Sequence, residues 1–257
     1  ILPLFSILFS ALKEGIGFYL EAISTEYVKS ALLVTLLATV IAVVVNTFFG
    51  IVAAWLLTKF SFRGKQILAT LIDIPFSISP VIVGLAFLMT FGRLGWTYPG
   101  IRVINHLLGT NIRITFALPG VVLATIFVTF PYVSREIIPI LNAEGKDEEE
   151  AAALMGAGGF KIFTKITLPQ MKWGLIYGII LCTARALGEF GAVNALSKTR
   201  GETFTFPLEI DALYMSGTDT SITAAFAVSS ILVLIAIVVL VIRNIFEYRN
   251  KKSSAPR

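Results

Sequence analysis

Long, uninterrupted apolar runs dominate the chain. Each is long enough for a helix to cross the ~30 Å apolar core of a bilayer, which takes about 20 residues. Transmembrane strands would instead alternate apolar and polar residues, so helices explain the pattern better. The clear runs are roughly 31–57, 67–91, 118–141, 173–193 and 222–242. The pattern therefore predicts an all-α polytopic membrane protein.

The first apolar stretch, residues 1–12, is too short to span a bilayer alone. Lys13 and Glu14 follow it directly, the chain begins at Ile1 rather than Met, and the cleavage motif of a signal peptide is missing. We interpret residues 1–27 as a partial first helix with an external segment. With it, we expect about six transmembrane helices in a single domain, 1–257.

The composition agrees with lipid as the solvent. Of the 257 residues, 56% are hydrophobic and 14% are charged, whereas soluble proteins carry about 25% charged residues. The only cysteine, Cys182, excludes an internal disulfide and is expected to be a small buried apolar residue. The only histidine, His106, has no second histidine or cysteine beside it, so we expect no metal site.

The basic residues indicate orientation rather than nucleic-acid binding, because they are not clustered with aromatic residues. Twelve lysines and arginines lie in segments 59–65, 146–172 and 243–257, which alternation of the spans places on one side. The other side carries seven, which are Lys13, Lys29, Arg93, Arg102, Arg113, Lys198 and Arg200. Since cytoplasmic loops are the more basic ones, we expect a cytoplasmic C-terminus and a cytoplasmic tail at 243–257.

The polar segment 142–172 is longer than a connector between two spans needs to be. Its acidic run leads into an alanine-rich stretch that favours a helix, and Gly156 is suited to turn the chain where that helix ends. We expect a second short helix at 160–167, ended by Leu168 because the residue before Pro169 is biased away from helix. A helix lying on the lipid surface is the alternative, and the acidic start disfavours it on an anionic leaflet.

The spacing of this segment resembles a known motif. The order is Glu150-Ala151-Ala152, then three residues, Gly156, nine residues, Ile166, one residue and Leu168-Pro169. This order is similar to the EAA motif of bacterial ABC importer permeases. The resemblance implies a type I importer transmembrane domain in which this loop docks as a coupling helix on an ATPase subunit. The implied ATPase-coupling residues are Glu150, Ala151, Ala152, Gly156, Ile166, Leu168 and Pro169.

The chain has no G-x-x-x-x-G-K-[ST] phosphate-binding loop. ATP and Mg²⁺ are therefore expected on a separate ATP-binding cassette subunit, and this chain is expected to be neither an enzyme nor a cofactor carrier.

Three segments within the spans, 71–80, 124–131 and 184–193, resemble the sulfate/thiosulfate permeases, and among these the W-type subunit. The resemblance implies import of sulfate across the bacterial inner membrane, a homologous second permease subunit and a periplasmic sulfate-binding protein. Molybdate and tungstate permeases, which would act as homodimers, share parts of these patterns and remain an alternative. A channel or carrier that works without an ATPase is an alternative of another class.

A few polar residues inside the spans are candidates for the translocation path. Arg185 and Glu189 are four residues apart, so they can face each other on one side of a helix. An unpaired charge at mid-membrane costs ~2.5–3.5 kcal/mol, so Arg185 either lines the anion path or forms a structural pair. Ser77, Ser79 and Thr129 can donate hydrogen bonds to a passing oxyanion or to their own helix backbone. For Asp73 and for the Arg135–Glu136 pair, a structural role is favoured over a role in the translocation path.

Overall fold

The computed structural model describes residues 2–111 and 113–253, and every regular element in them is helical. A single π-helical turn, Phe163–Thr167, follows α10. The helices are α1 Leu2–Ala11, α2 Gly15–Ser24, α3 Glu26–Lys59, α4 Lys65–Ser77, α5 Pro80–Phe91, α6 Tyr98–Leu108, α7 Leu118–Thr129, α8 Pro131–Glu144, α9 Asp147–Leu154, α10 Gly159–Ile162, α11 Leu168–Gln170, α12 Lys172–Leu187, α13 Gly191–Leu196, α14 Phe206–Met215 and α15 Asp219–Ser253.

Three segments of the described chain are long and apolar enough to cross a membrane as single helices. They are α3, the combined α7 and α8 over Leu118–Glu144, and Asp219–Glu247 of α15. They contain the predicted runs 31–57, 118–141 and 222–242, which are thereby confirmed. The predicted tail 243–257 continues α15, and its residues 254–257 lie outside the described residues.

The remaining predicted spans differ from straight helices. Helices α1 and α2 meet at 96°, and α4 and α5 meet at 107°, so the described chain has up to five spans if each bent pair crosses once. The run 173–193 was predicted as one span. It forms the 16-residue helix α12 and then breaks at Gly188, before the short helix α13.

The run 67–91 bends near its prolines, and Pro75 and Pro80 in the sequence had already indicated an interruption of this span. Ile78 and Ser79 adopt extended backbone angles between the two helices. Pro80 occupies the first turn of α5, and its ring disfavours a helical conformation at Ser79. The break places Ser77 and Ser79 at an exposed corner of the chain.

Small residues bring α3, α8 and α12 together around Val133, which is fully buried. A β-carbon added at Gly50 of α3 would stand 2.7 Å from Val133 Cβ, and one added at Gly178 of α12 would stand 2.8 Å from Val133 Cα. Membrane helices lack a hydrophobic drive toward each other and associate through such close packing. Cys182 is buried in the same cluster, which confirms its expected role.

We predict that Gly178→Leu separates α8 from α12, since the new side chain would overlap backbone atoms. Overpacking of this kind costs about 1–3 kcal/mol, so the thermal unfolding midpoint of the purified protein should fall. Gly17→Leu is the matched control, because a β-carbon there meets nothing within 4 Å. An equal fall in both variants would contradict the packing described.

Candidate functional site

The acidic and alanine-rich stretch forms α9, as the sequence predicted. Four carboxylates occupy its first turn, where the helix dipole favours negative charge. At its end the Gly156 N–H donates to Ala153 O and the Ala157 N–H donates to Ala152 O, both at 3.0 Å. This is a Schellman cap, and it requires the left-handed φ of +84° that Gly156 adopts. The expected turn at Gly156 is confirmed.

The motif residues divide between the two faces of α9. Glu150 and Ala151 are exposed, whereas Ala152 is buried against the protein. Beyond the helix, Met155 and Phe160 leave 82% and 83% of their surface exposed. Large apolar side chains that stay exposed near one helix are typical of a surface that another protein covers.

Glu149, which lies outside the recognised motif, fastens this loop to the membrane helices. Its Oε1 lies 3.2 Å from Nζ of Lys59 at the end of α3 and accepts a 2.5 Å hydrogen bond from the Thr167 hydroxyl. Lys59 Nζ also donates to the carbonyl of Gly145 at 2.5 Å. The Lys59 and Glu149 side chains are only 5% and 14% exposed. These contacts tie α9 to the end of α3.

The expected second short helix, 160–167, forms as α10 and the π turn that follows it, but it does not end at Leu168 as predicted. Leu168 is helical, with φ −66° and ψ −43°, and the chain stays helical through Pro169 until Met171. The preceding π turn, in which the Leu168 N–H donates to Phe163 O, is wider than an α-turn and leaves room for the proline ring. Ile166 and Leu168 are half-buried, and Pro169 is exposed.

Arg185 and Glu189 form the expected ion pair, but not along one helix. Helix α12 ends at Leu187, and Glu189 lies in the break that follows. Arg185 Nη1 is 2.6 Å from Glu189 Oε2, with side-chain exposures of 28% and 1%. Glu189 Oε1 also accepts a 2.8 Å hydrogen bond from the Ala192 N–H in the first turn of α13. Glu189 thus joins the end of one helix to the start of the next.

This joint lies beside the bend between α4 and α5. A β-carbon added at Gly191 would stand 3.0 Å from Pro80 Cβ, so the exposed corner that carries Ser77 and Ser79 packs next to the break that carries Glu189. Three of the candidate path residues, Ser77, Ser79 and Glu189, therefore lie at two adjoining helix breaks.

Thr129 lies elsewhere, at the junction of α7 and α8. It is fully buried, its hydroxyl donates to Thr125 O at 2.6 Å, and it accepts a hydrogen bond from the Asn46 amide at 2.8 Å. Both bonds hold the junction before Pro131 against α3. Asn46 was not singled out from the sequence, where a lone polar residue within an apolar run was the only signal.

Two further ion pairs join residues that are distant in the sequence or separated by a loop. Arg135 pairs with Asp73 at 2.9 Å, not with the adjacent Glu136, and its guanidinium lies over the Phe76 ring. The fully buried Glu209 accepts hydrogen bonds from two nitrogens of Arg200. These contacts favour a structural role for both pairs.

Comparison with known proteins identifies the family. The family model "Binding-protein-dependent transport system inner membrane component" matches residues 46–252. The chain belongs to this family.

Curated members of the family resemble this permease over nearly its full length. It is 40% identical over 250 residues to the sulfate transport system permease protein CysW of Escherichia coli K12, covering 97% of this chain and 83% of that one. It is 42% identical over 256 residues to the protein of the same name from Synechococcus elongatus, covering 99% and 86%.

A solved structure shows the same fold. A chain of the bacterial alginate ABC transporter, in complex with an alginate pentasaccharide-bound periplasmic protein, matches with a TM-score of 0.77 at 18% identity, covering 97% of this permease and 88% of that chain. The permease therefore has the type I importer fold that the sequence predicted.

We predict that Glu149→Gln loosens the loop of this permease. Removing one partner of a buried ion pair leaves the other charge unpaired, at a cost of about 3 kcal/mol. Hydrogen exchange of the α9 amides, followed by mass spectrometry, should accelerate in this variant. Glu148→Gln is the matched control, since Glu148 is exposed and accepts a 3.0 Å hydrogen bond from the side-chain amide of the half-buried Gln170. Equal exchange in the two variants would contradict the role of Glu149.

Proposed function

We propose that this chain is the membrane-spanning permease subunit of an ATP-driven importer that carries sulfate or thiosulfate across the bacterial inner membrane. The family match and the sulfate permeases at about 40% identity support the cargo. The observation that carries the coupling role is α9, a short exposed helix fastened to α3 through Glu149 and Lys59. Covalent chemistry is left to the partner, which would bind ATP and Mg²⁺.

Four kinds of partner complete the proposed importer. Two ATP-binding cassette subunits would receive α9 and the exposed apolar side chains beside it. A second, homologous permease subunit would form a heterodimer with this one, and membrane lipid would surround both. A periplasmic binding protein would deliver the anion, which agrees with the periplasmic protein bound in the alginate transporter complex. The coupling loop 142–172 and the C-terminus would face the cytoplasm.

The geometry suggests how motion reaches the spans. Closure of the ATPase subunits would displace α9 through the exposed Glu150 and Ala151, while Gly156 keeps the cap that orients the helix. Glu149 passes this displacement to Lys59 and hence to α3. On the other side, Ile166, Leu168 and Pro169 continue into α12. Rigid-body movement of these packed helices would alternate the access of the cavity.

Arg185 is the candidate contact with the cargo. Its side chain keeps 28% exposure while it pairs with the buried Glu189. A divalent anion would compete with Glu189 for the guanidinium, and Glu189 would recover it on release. Such shared binding is weak enough for transport, and the exposed hydroxyls of Ser77 and Ser79 are proposed as further, neutral donors. The Thr129 hydroxyl is fully buried and already donates to Thr125 O, so it would reach the anion only after the junction of α7 and α8 moves.

We predict that Gly156→Leu uncouples transport. A side chain in the left-handed region costs roughly 1–2 kcal/mol, which would disrupt the cap of α9 without any steric overlap, since nothing lies within 4 Å. Sulfate uptake and ATPase association should fall while the protein stays in the membrane. Gly158→Leu is the matched control, because Gly158 has equal space and a φ of −69°. Normal coupling in Gly156→Leu would refute the role of the loop.

We predict that the reconstituted complex takes up labelled sulfate only with ATP and all partner subunits. Uptake is compared with labelled molybdate in the same proteoliposomes, because related permeases carry either anion. Preference for molybdate would overturn the proposed cargo. Anion movement by the isolated chain, without an ATPase, would overturn the proposed class.

A further inference from the structure

We propose that a cavity at the end of the permease opposite the coupling loop is a receiving site for the tetrahedral oxyanion cargo. The inference rests on the proposed function and extends it to a site that precedes Arg185. The cavity has a volume of about 810 Å³ and lies between the end of α5, helix α6 and the segment that leads into α7.

Three arginines line the cavity, one from each of these parts: Arg93, Arg102 and Arg113. None of the cavity's described lining residues is acidic, and the sequence has no aspartate or glutamate between Asp73 and Glu136. Within the described part of the chain, no ion pair includes any of the three. The cavity therefore concentrates positive charge that this chain does not neutralise, and such a field attracts anions.

Helix α6 presents its polar face to the cavity. Tyr98, Ile101, Arg102 and Asn105 recur at helical spacing along the lining. On the opposite side of the helix, Val103, Ile104 and Leu107 are exposed by 57%, 49% and 76%. An amphipathic helix in water would turn its apolar side inward, so this reversed arrangement places the apolar side toward lipid and the arginine toward the cavity.

The position of the cavity connects it to the proposed path. Phe116 lines it with a left-handed φ of 57°, and the Phe116 N–H donates a 3.0 Å hydrogen bond to Leu196 O at the end of α13. Six residues of helix, roughly 9 Å at 1.5 Å per residue, separate Leu196 from the turn that Glu189 caps. The cavity thus adjoins the element that carries the Arg185–Glu189 joint.

The chemistry of the lining fits an oxyanion that must pass through. Guanidinium groups bind tetrahedral oxyanions through paired N–H donors. The cavity is much larger than one such ion, which leaves room for hydration and permits release. In the proposed orientation it faces the exterior, where lysine and arginine are disfavoured in membrane proteins, so a function of these arginines explains their presence.

Arginine-directed footprinting tests the site in the assembled complex. Phenylglyoxal modifies accessible guanidinium groups, and mass spectrometry of peptides measures the rate at each residue. Sulfate, compared with chloride at equal ionic strength, should slow modification of the three cavity arginines by about twofold at half-saturation. Arg63, which is exposed near the coupling loop, is the internal control and should be unaffected.

The footprinting is performed in phospholipid-free detergent and in phosphatidylcholine nanodiscs. Protection by sulfate in detergent supports the cargo site. Protection that appears on adding lipid, with none from sulfate, would assign the arginines to lipid phosphates and overturn the proposal. If only the anion-free binding protein protects the three arginines, they form its docking surface, and the proposed anion site is again overturned.

A transport assay tests the role of the charge. The combined variant Arg93→Gln, Arg102→Gln, Arg113→Gln should lower the uptake rate about tenfold at low ionic strength, and the deficit should shrink near 1 M salt, where the Debye length is about 3 Å. The matched control replaces Lys13, Lys29 and Lys198 by Gln, which removes equal charge outside the cavity. Association of the ATPase subunits at the far end reports intact folding.

The outcomes separate the two proposals. Equal uptake by both triple variants would overturn the cavity proposal, while sulfate uptake by the wild type leaves the proposed function intact. If the wild type carries molybdate instead of sulfate, the proposed cargo is wrong, and both assays are then evaluated with molybdate.

Discussion

The structure depends on the need to satisfy polar groups inside the bilayer without water. A helix break exposes backbone donors and acceptors, and a buried charge needs a partner, or each costs several kcal/mol. Glu189 meets both needs at once, because one of its oxygens faces Arg185 and the other accepts the Ala192 N–H. At the junction before Pro131, the Asn46 amide donates to the Ile126 carbonyl and to the Thr129 hydroxyl. These helix breaks are thus the places where polar side chains had to be buried.

Local signals predicted a large part of this fold. Apolar runs located the three long spans, and Gly156 marked the end of α9 because its turn depends only on neighbouring residues. The 107° bend between α4 and α5 was harder to foresee. Pro75 and Pro80 signalled a disturbance but did not give its angle, and the neighbour Gly191 that packs against Pro80 lies far away in the sequence.

Contacts between distant residues were beyond sequence reasoning. Lys59 and Glu149 are separated by five intervening helices, and nothing in an acidic run distinguishes the carboxylate that turns inward. The motif identified Glu150, which is exposed, whereas its neighbour Glu149 fixes the loop to the protein. Likewise, only the structure pairs Arg135 with Asp73 rather than with Glu136. Sequence motifs locate a surface well, and the attachments behind that surface follow from tertiary packing.

The close packing at Val133 has a mechanical consequence. Gly50 of α3 and Gly178 of α12 both approach Val133 of α8 closely, so we expect α3, α8 and α12 to move as one stiff body. The loop is attached to that body twice, through Lys59 at the end of α3 and through the helical turns that lead into α12. Because the loop is attached to this body at two points, a force on α9 would rotate the three helices together rather than slide one helix past another. The leverage of the importer would then depend on the separation of those two anchor points.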